Sequence, residues 1–164
     1  MSRKSLSLVN QKLTHARLLL AQLKHAEGVL ANALAESVVG QLACAYRHYL
    51  RELAEAYQVR VPGGIVSEAD LTSALLALNK QPTEAQELVD LRARPDSWVS
   101  ELQLAYEQLW RTPAQSVPPR ESAGLIPLVP MDTEPLALSV ERLSLWYESF
   151  IDMIQRHRET SAEW

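Results

Sequence analysis

Leu6, Val9, Leu13, Ala16, Leu20 and Leu23 recur at alternating spacings of three and four residues, the seam of a helix that packs on another helix. Leu18 and Leu19 widen the seam towards the stripe expected in a globular bundle. A second seam, Val39, Leu42, Tyr46, Tyr49, Leu53 and Ala56, has the same spacing in a different phase. Continuing the first seam would place apolar residues at 37, 41, 44 and 48, where the chain has Ser37, Gln41, Cys44 and His48. The register therefore changes between about residues 25 and 37, with Glu27-Gly28 and Asn32 as the candidate breakers. Two helices over roughly 5–26 and 32–58, folded as an antiparallel hairpin spanning 5–58, are expected. One long bent helix is the alternative.

Pro62-Gly63-Gly64 closes this unit, and residues 67–111 read as shorter helices. Ser67-Glu68-Ala69-Asp70 has the form of a capping box and opens a helix ending near Asn79. Pro82-Thr83-Glu84 offers another start, for a helix that must stop or kink before Pro95. Asp96 is placed to cap a further helix carrying Trp98, Val99, Leu102, Tyr106, Leu109 and Trp110 on one face. These last two segments could instead be one helix kinked at the proline.

Six of the nine prolines fall within 112–138 (Pro113, Pro118, Pro119, Pro127, Pro130 and Pro135), which excludes helix over most of that span. Its centre, Gly124 to Met131, is too apolar for a solvated linker and is expected to run extended across the bundle. The last helix is expected over 139–159, with a stripe of Val140, Leu143, Trp146, Tyr147, Phe150, Met153, Ile154 and His157, followed by a frayed tail at 160–164. No strand pattern and no internal repeat is visible. The chain thus reads as all-α, a single domain over 1–164 built as a bundle of about five to six helices. With 47% hydrophobic residues it has ample material for a core.

Charge and cysteine content narrow the function. Sixteen basic and twenty acidic residues leave a formal charge of −4, so nucleic-acid association is disfavoured. Cys44 is the sole cysteine and no internal disulfide can form. Polar residues interrupt the N-terminal pattern at Asn10, Gln11, Lys12, His15 and Arg17, unlike a signal peptide. No run of apolar residues reaches the roughly 18–20 of a membrane span. A cytoplasmic protein without a membrane association is expected.

Chemical motifs are sparse. Cys44, His48 and Glu52 lie at i, i+4 and i+8, so a nucleophile relay can be drawn, but the helical wheel puts them on a polar face beside Arg51 and Glu55. That face is expected to be solvated, its thiol incidental. His48 with Glu52 is also the best-spaced ligand pair, yet the chain has neither Glu-x-x-His nor His-Glu-x-x-His. Pro62-Gly63-Gly64-Ile65 lacks the lysine of a phosphate loop. No arginine precedes a histidine at the spacing of helical HEPN-type ribonucleases; Arg17 to His25 is too long. Catalytic residues, cofactors and a bound metal are therefore not expected. The basic groups Arg3/Lys4/Lys12 and Arg156/His157/Arg158 are expected at solvated helix ends.

Asn10-Gln11-Lys12-Leu13, the Tyr46-Arg47-His48-Tyr49-Leu50 run and Trp146-Tyr147 together resemble a bacterial family, found mainly in pseudomonads and related gammaproteobacteria, known only as a domain of unknown function. The resemblance covers most of the chain and implies a compact helical bacterial protein, with no activity or site attached.

What remains is a surplus of large apolar side chains. Trp98, Trp110 and Trp146 sit on apolar stripes and are expected in the core. Trp110 and the apolar segment Leu125, Ile126, Leu128, Val129 and Met131 form the candidate partner-binding set. The leading expectation is a non-catalytic binding or adaptor protein that engages another protein and can self-associate through an exposed helical face. The alternative is a small-ligand binder or enzyme whose site gathers His15, His25, Glu36, Arg47 and Asp152 inside the bundle. Weak nucleic-acid association comes third.

Overall fold

A computed structural model describes residues 4–111 and 135–162. Six helices follow in chain order: α1 Lys4–Leu23, α2 Gly28–Ala56, α3 Glu68–Leu76, α4 Thr83–Ala93, α5 Trp98–Gln108 and α6 Val140–Ala162, with one 3₁₀ turn at Pro62–Gly64. No strand occurs among the described residues.

The phase change does mark a hairpin. α1 and α2 are antiparallel, the start of one meeting the end of the other where the Ser5 hydroxyl donates to Glu55 Oε1 at 2.7 Å. Most of both seams is buried, Val9, Leu13, Ala16, Leu20 and Leu23 on α1 and Val39, Leu42, Tyr46, Tyr49 and Leu53 on α2, while Leu6 is half-buried and Ala56 exposed. The reversal occurs at Gly28, whose φ of +59° belongs to the left-handed region that L side chains rarely enter. Asn32 is no breaker; it lies inside α2, which begins four residues earlier. By length and hydropathy α2 could cross a membrane, although a third of its most apolar stretch is buried inside the protein.

α3 packs on α2, α4 on α3, and α5 on both α2 and α4. The capping box forms as read: the Asp70 amide donates to Ser67 Oγ, and Asp70 Oδ2 accepts the Ser67 amide at 3.0 Å. α4 and α5 are separate helices, and α5 is capped by Ser97 rather than Asp96. Ser97 is buried because its hydroxyl works twice, donating to the Leu91 carbonyl at the end of α4 and accepting the Ser100 amide at 3.1 Å. Asp96 is exposed and makes neither contact.

α6 lies against α1, α2 and α5. Its stripe of Leu143, Trp146, Phe150, Met153 and Ile154 is buried, and the Trp146 indole N–H donates to Glu101 on α5 at 2.9 Å. Phe150 sits within an aromatic cluster, 5.1 Å from Trp98, 5.9 Å from Tyr46 and 6.0 Å from Tyr49 between ring centres. The helix continues through Thr160–Ala162, residues expected in a frayed tail; the Thr160 hydroxyl returns to the Arg156 carbonyl at 3.0 Å. Of the proline-rich span, 135–138 is described: Leu136 and Leu138 pack on the core, and the Leu136 amide donates to Gln108 Oε1 at 3.0 Å.

Candidate functional site: an arginine-lined cleft and the Trp110 surface

Cys44, Arg47, His48 and Arg51 share one face of α2, since steps of three and four residues return a helix to the same side. That face forms one wall of a cleft of about 370 Å³. Ser67 and Glu68 at the head of α3 form the opposite wall, with Arg92 from the last turn of α4 and Gln103 and Tyr106 from α5. The Tyr46 hydroxyl, at the cleft's inner edge, donates to Glu68 Oε1 at 2.7 Å. Burial, reinforced by the Glu68 carboxylate, pushes the Tyr46 phenol well above its ordinary range. Arg51 Nε donates to the Ile65 carbonyl at 3.1 Å, holding its guanidinium against the loop before α3. His48 is pushed down, first by burial and then by the positive charges of Arg51, Lys12 and Arg47. Its Nδ1 is buried without a hydrogen-bond partner.

The relay drawn through Cys44, His48 and Glu52 is not assembled. Glu52 turns away to a two-pronged pairing with Arg158, at 2.8 Å for both contacts, and its side chain is only 12% exposed. Cys44 is exposed on the cleft wall. Of the face expected to be solvated, Cys44 and Arg47 are exposed, whereas His48, Arg51, Glu52 and Glu55 are half-buried. Among the described residues no group of three or more His, Cys, Asp or Glu side chains is placed to hold a metal ion.

The cluster Arg156/His157/Arg158 is not a helix end, and within it His157 is buried while Arg156 remains exposed. α6 runs past it, and each member is bonded across the bundle. Arg156 grips Glu87 with both terminal nitrogens, at 2.7 and 3.3 Å. His157 is buried, its Nε2 2.8 Å from Glu87 and its Nδ1 bonded to the Tyr49 hydroxyl. Arg158 holds Glu52 and also reaches Asn10 Oδ1 at 3.1 Å. The Tyr49–His157–Glu87 series has the look of a proton relay. Tyr49 is 1% exposed, however, so no substrate can reach its hydroxyl, and the series acts as a tie between helices.

Trp110 is not in the core. It is 75% exposed, because α5 ends at Gln108 and the next residues leave the helical phase that buries Leu102 and Ala105. Its ring stands edge-on to Tyr106 at 6.1 Å, and Leu109 beside it is also exposed. Trp98 and Trp146 pack as expected. The other candidate partner residues, Leu125, Ile126, Leu128, Val129 and Met131, lie outside the described residues. His15, His25, Glu36, Arg47 and Asp152 do not converge inside the bundle: all five are exposed, and only Arg47 lines the cleft. The cleft itself escaped the sequence reading, because its arginines come from helices brought together only by packing.

A family model described as a family of unknown function, DUF6586, matches residues 1–164. The chain belongs to that family. No curated protein matches the chain, and no solved structure does. DUF6586 membership accounts for the whole chain as one unit and assigns it no chemistry.

Proposed function

We propose that this is a non-catalytic binding protein of the bacterial cytoplasm, which captures another protein through the surface around Trp110. The observation that carries the reading is the exposure of Trp110, 75% of a large aromatic side chain left outside a well-packed bundle. Tryptophan is among the commonest energetic anchors of protein interfaces, since it combines a large apolar area with few rotatable bonds. Leu109 adds apolar area, and Tyr106 backs the indole so that it is presented with a restrained orientation. The placement of His157 in a buried structural tie supports the non-catalytic part of the reading.

Affinity capture of the tagged chain from its native cytoplasm, with and without nuclease, tests it. A stoichiometric protein partner that survives nuclease and is lost in Trp110→Ala supports the proposal. Undiminished capture by a folded Trp110→Ala variant removes this surface. Sedimentation over a range of concentrations separates a foreign partner from self-association, in which the same surface would seat a second copy.

A further inference from the structure

The cleft between α2 and the α3–α5 unit carries a charge imbalance that the fold leaves unresolved. Arg47, Arg51 and Arg92 line it, and Glu68 is the one carboxylate among its lining residues. Three guanidiniums less one carboxylate leave two positive charges around a single concavity. Glu68 is moreover occupied by the Tyr46 hydroxyl. Two arginines of α6 find acids across the bundle: Arg156 takes Glu87 and Arg158 takes Glu52. Among the described residues none of the three cleft arginines is ion-paired. Arg51 commits only Nε, to the Ile65 carbonyl, which steadies the guanidinium and leaves its terminal nitrogens uncommitted. The unpartnered Nδ1 of His48 is buried on the same wall.

Like charges gathered around a concavity focus the field and concentrate anions there, even on a chain whose net charge is −4. Guanidinium groups suit oxyanions because their fork delivers parallel N–H bonds to two oxygens at once. A carboxylate offers two oxygens and one charge. A phosphomonoester offers three terminal oxygens and close to two negative charges, which matches the surplus here. The volume of about 370 Å³ falls at the small end of metabolite sites.

We propose that this cleft binds a small phosphorylated molecule, with its phosphoryl dianion seated among Arg47, Arg51 and Arg92. Gln103 and Ser67 supply neutral hydrogen-bonding groups for the rest of the ligand. The proposal is independent of the Trp110 reading: Tyr106 borders both surfaces, but the arginines that seat the phosphoryl group take no part at Trp110.

Calorimetric titration of the full chain in phosphate-free buffer, with ribose 5-phosphate, inorganic phosphate and succinate as probes, tests it. Saturable one-to-one binding of ribose 5-phosphate is expected, with succinate at least roughly tenfold weaker. Arg47→Gln and Arg92→Gln should each weaken ribose 5-phosphate by roughly tenfold or more while helix content and melting temperature hold. Arg94→Gln, an exposed neighbour outside the cleft, should bind as the natural chain does. Inorganic phosphate binding as tightly as the ester would make the phosphoryl group alone the ligand and overturn the organic part of the proposal. Absence of saturation up to about 10 mM, equal affinity for succinate, or full affinity in both folded cleft variants overturns it entirely.

Discussion

The Tyr49 hydroxyl bonds to Nδ1 of His157 in the interior, joining the middle of α2 to the late turns of α6 across 108 residues of sequence. With Nε2 of the same ring against Glu87, the imidazole ties three helices, α2, α4 and α6, at one point. Both ring nitrogens are engaged, Nδ1 with the Tyr49 hydroxyl and Nε2 with the Glu87 carboxylate.

Removing one end of that tie takes a buried hydrogen bond from the fold. Tyr49→Phe should therefore destabilise it by about 1–3 kcal/mol, the cost of losing a buried polar contact. Urea unfolding at neutral pH measures it. An unchanged midpoint would mean that the contact contributes nothing.

Glu87 gives the fold an acid limit. The Arg156 hydrogen bond, with His157 adding to it, lowers its carboxyl from the ordinary 4.5 to about 2. A depressed folded pKa means that the unfolded chain takes up the proton first, so the stabilisation is complete above about pH 4.5 and is lost as pH falls towards 2. Glu87→Gln should flatten the stability curve across that window while lowering it at neutral pH. Denaturant midpoints of both proteins between pH 2 and 6, on the order of one reading per pH unit, check the sign.

The cap of α5 separates two adjacent residues. Ser97→Ala loses the bond from the Ser100 amide and the bond to the Leu91 carbonyl, and should cost about 1–2 kcal/mol. Asp96→Ala removes an exposed side chain and should stay within about 0.5 kcal/mol. A larger effect at Asp96 than at Ser97 would reverse the assignment of the cap.

Two glycines in the hairpin should respond in opposite directions. A Cβ at Gly28 meets nothing within 4 Å, yet φ there is +59°, so Gly28→Ala should cost about 1 kcal/mol or more through the backbone alone. Gly40 lies inside α2 with equally open space and ordinary helical geometry, so Gly40→Ala should stabilise by roughly 0.5–1 kcal/mol. Thermal melts of the two variants would resolve the contrast.

Phe150→Ala tests the aromatic cluster. The side chain is fully buried against Trp98, Tyr46 and Tyr49, and its loss should cost about 3–5 kcal/mol. A loss under about 1 kcal/mol would show that the cluster collapses into the space, contrary to tight packing.

The helical hairpin was legible because its signal is local and repeated. Each seam states its own period, and the mismatch in phase at Ser37, Gln41, Cys44 and His48 requires a break between them. The capping box at Ser67 and Asp70 was equally readable, since both partners lie within one turn. Trp110 misled for the same reason. Its spacing continues the α5 stripe, but a stripe buries a residue only while the helix lasts, and α5 ends two residues earlier. Asp96 misled because either of two neighbouring residues can cap by composition, and burial against the end of α4 selected Ser97.

By itself the sequence determined the all-α class, the paired long helices and most of their buried faces, because periodicity and caps act over a few residues. Tertiary packing decided which charges are neutralised. Arg156, His157 and Arg158 read as a basic helix end until α6 laid them against Glu87 and Glu52. Arg47 and Arg51 of α2 and Arg92 of α4 became a shared positive cleft only when α3 and α5, against which α4 packs, closed on α2. The difference is physical: secondary structure follows from neighbours along the chain, whereas a charge's partners are set by whichever helix is packed opposite it.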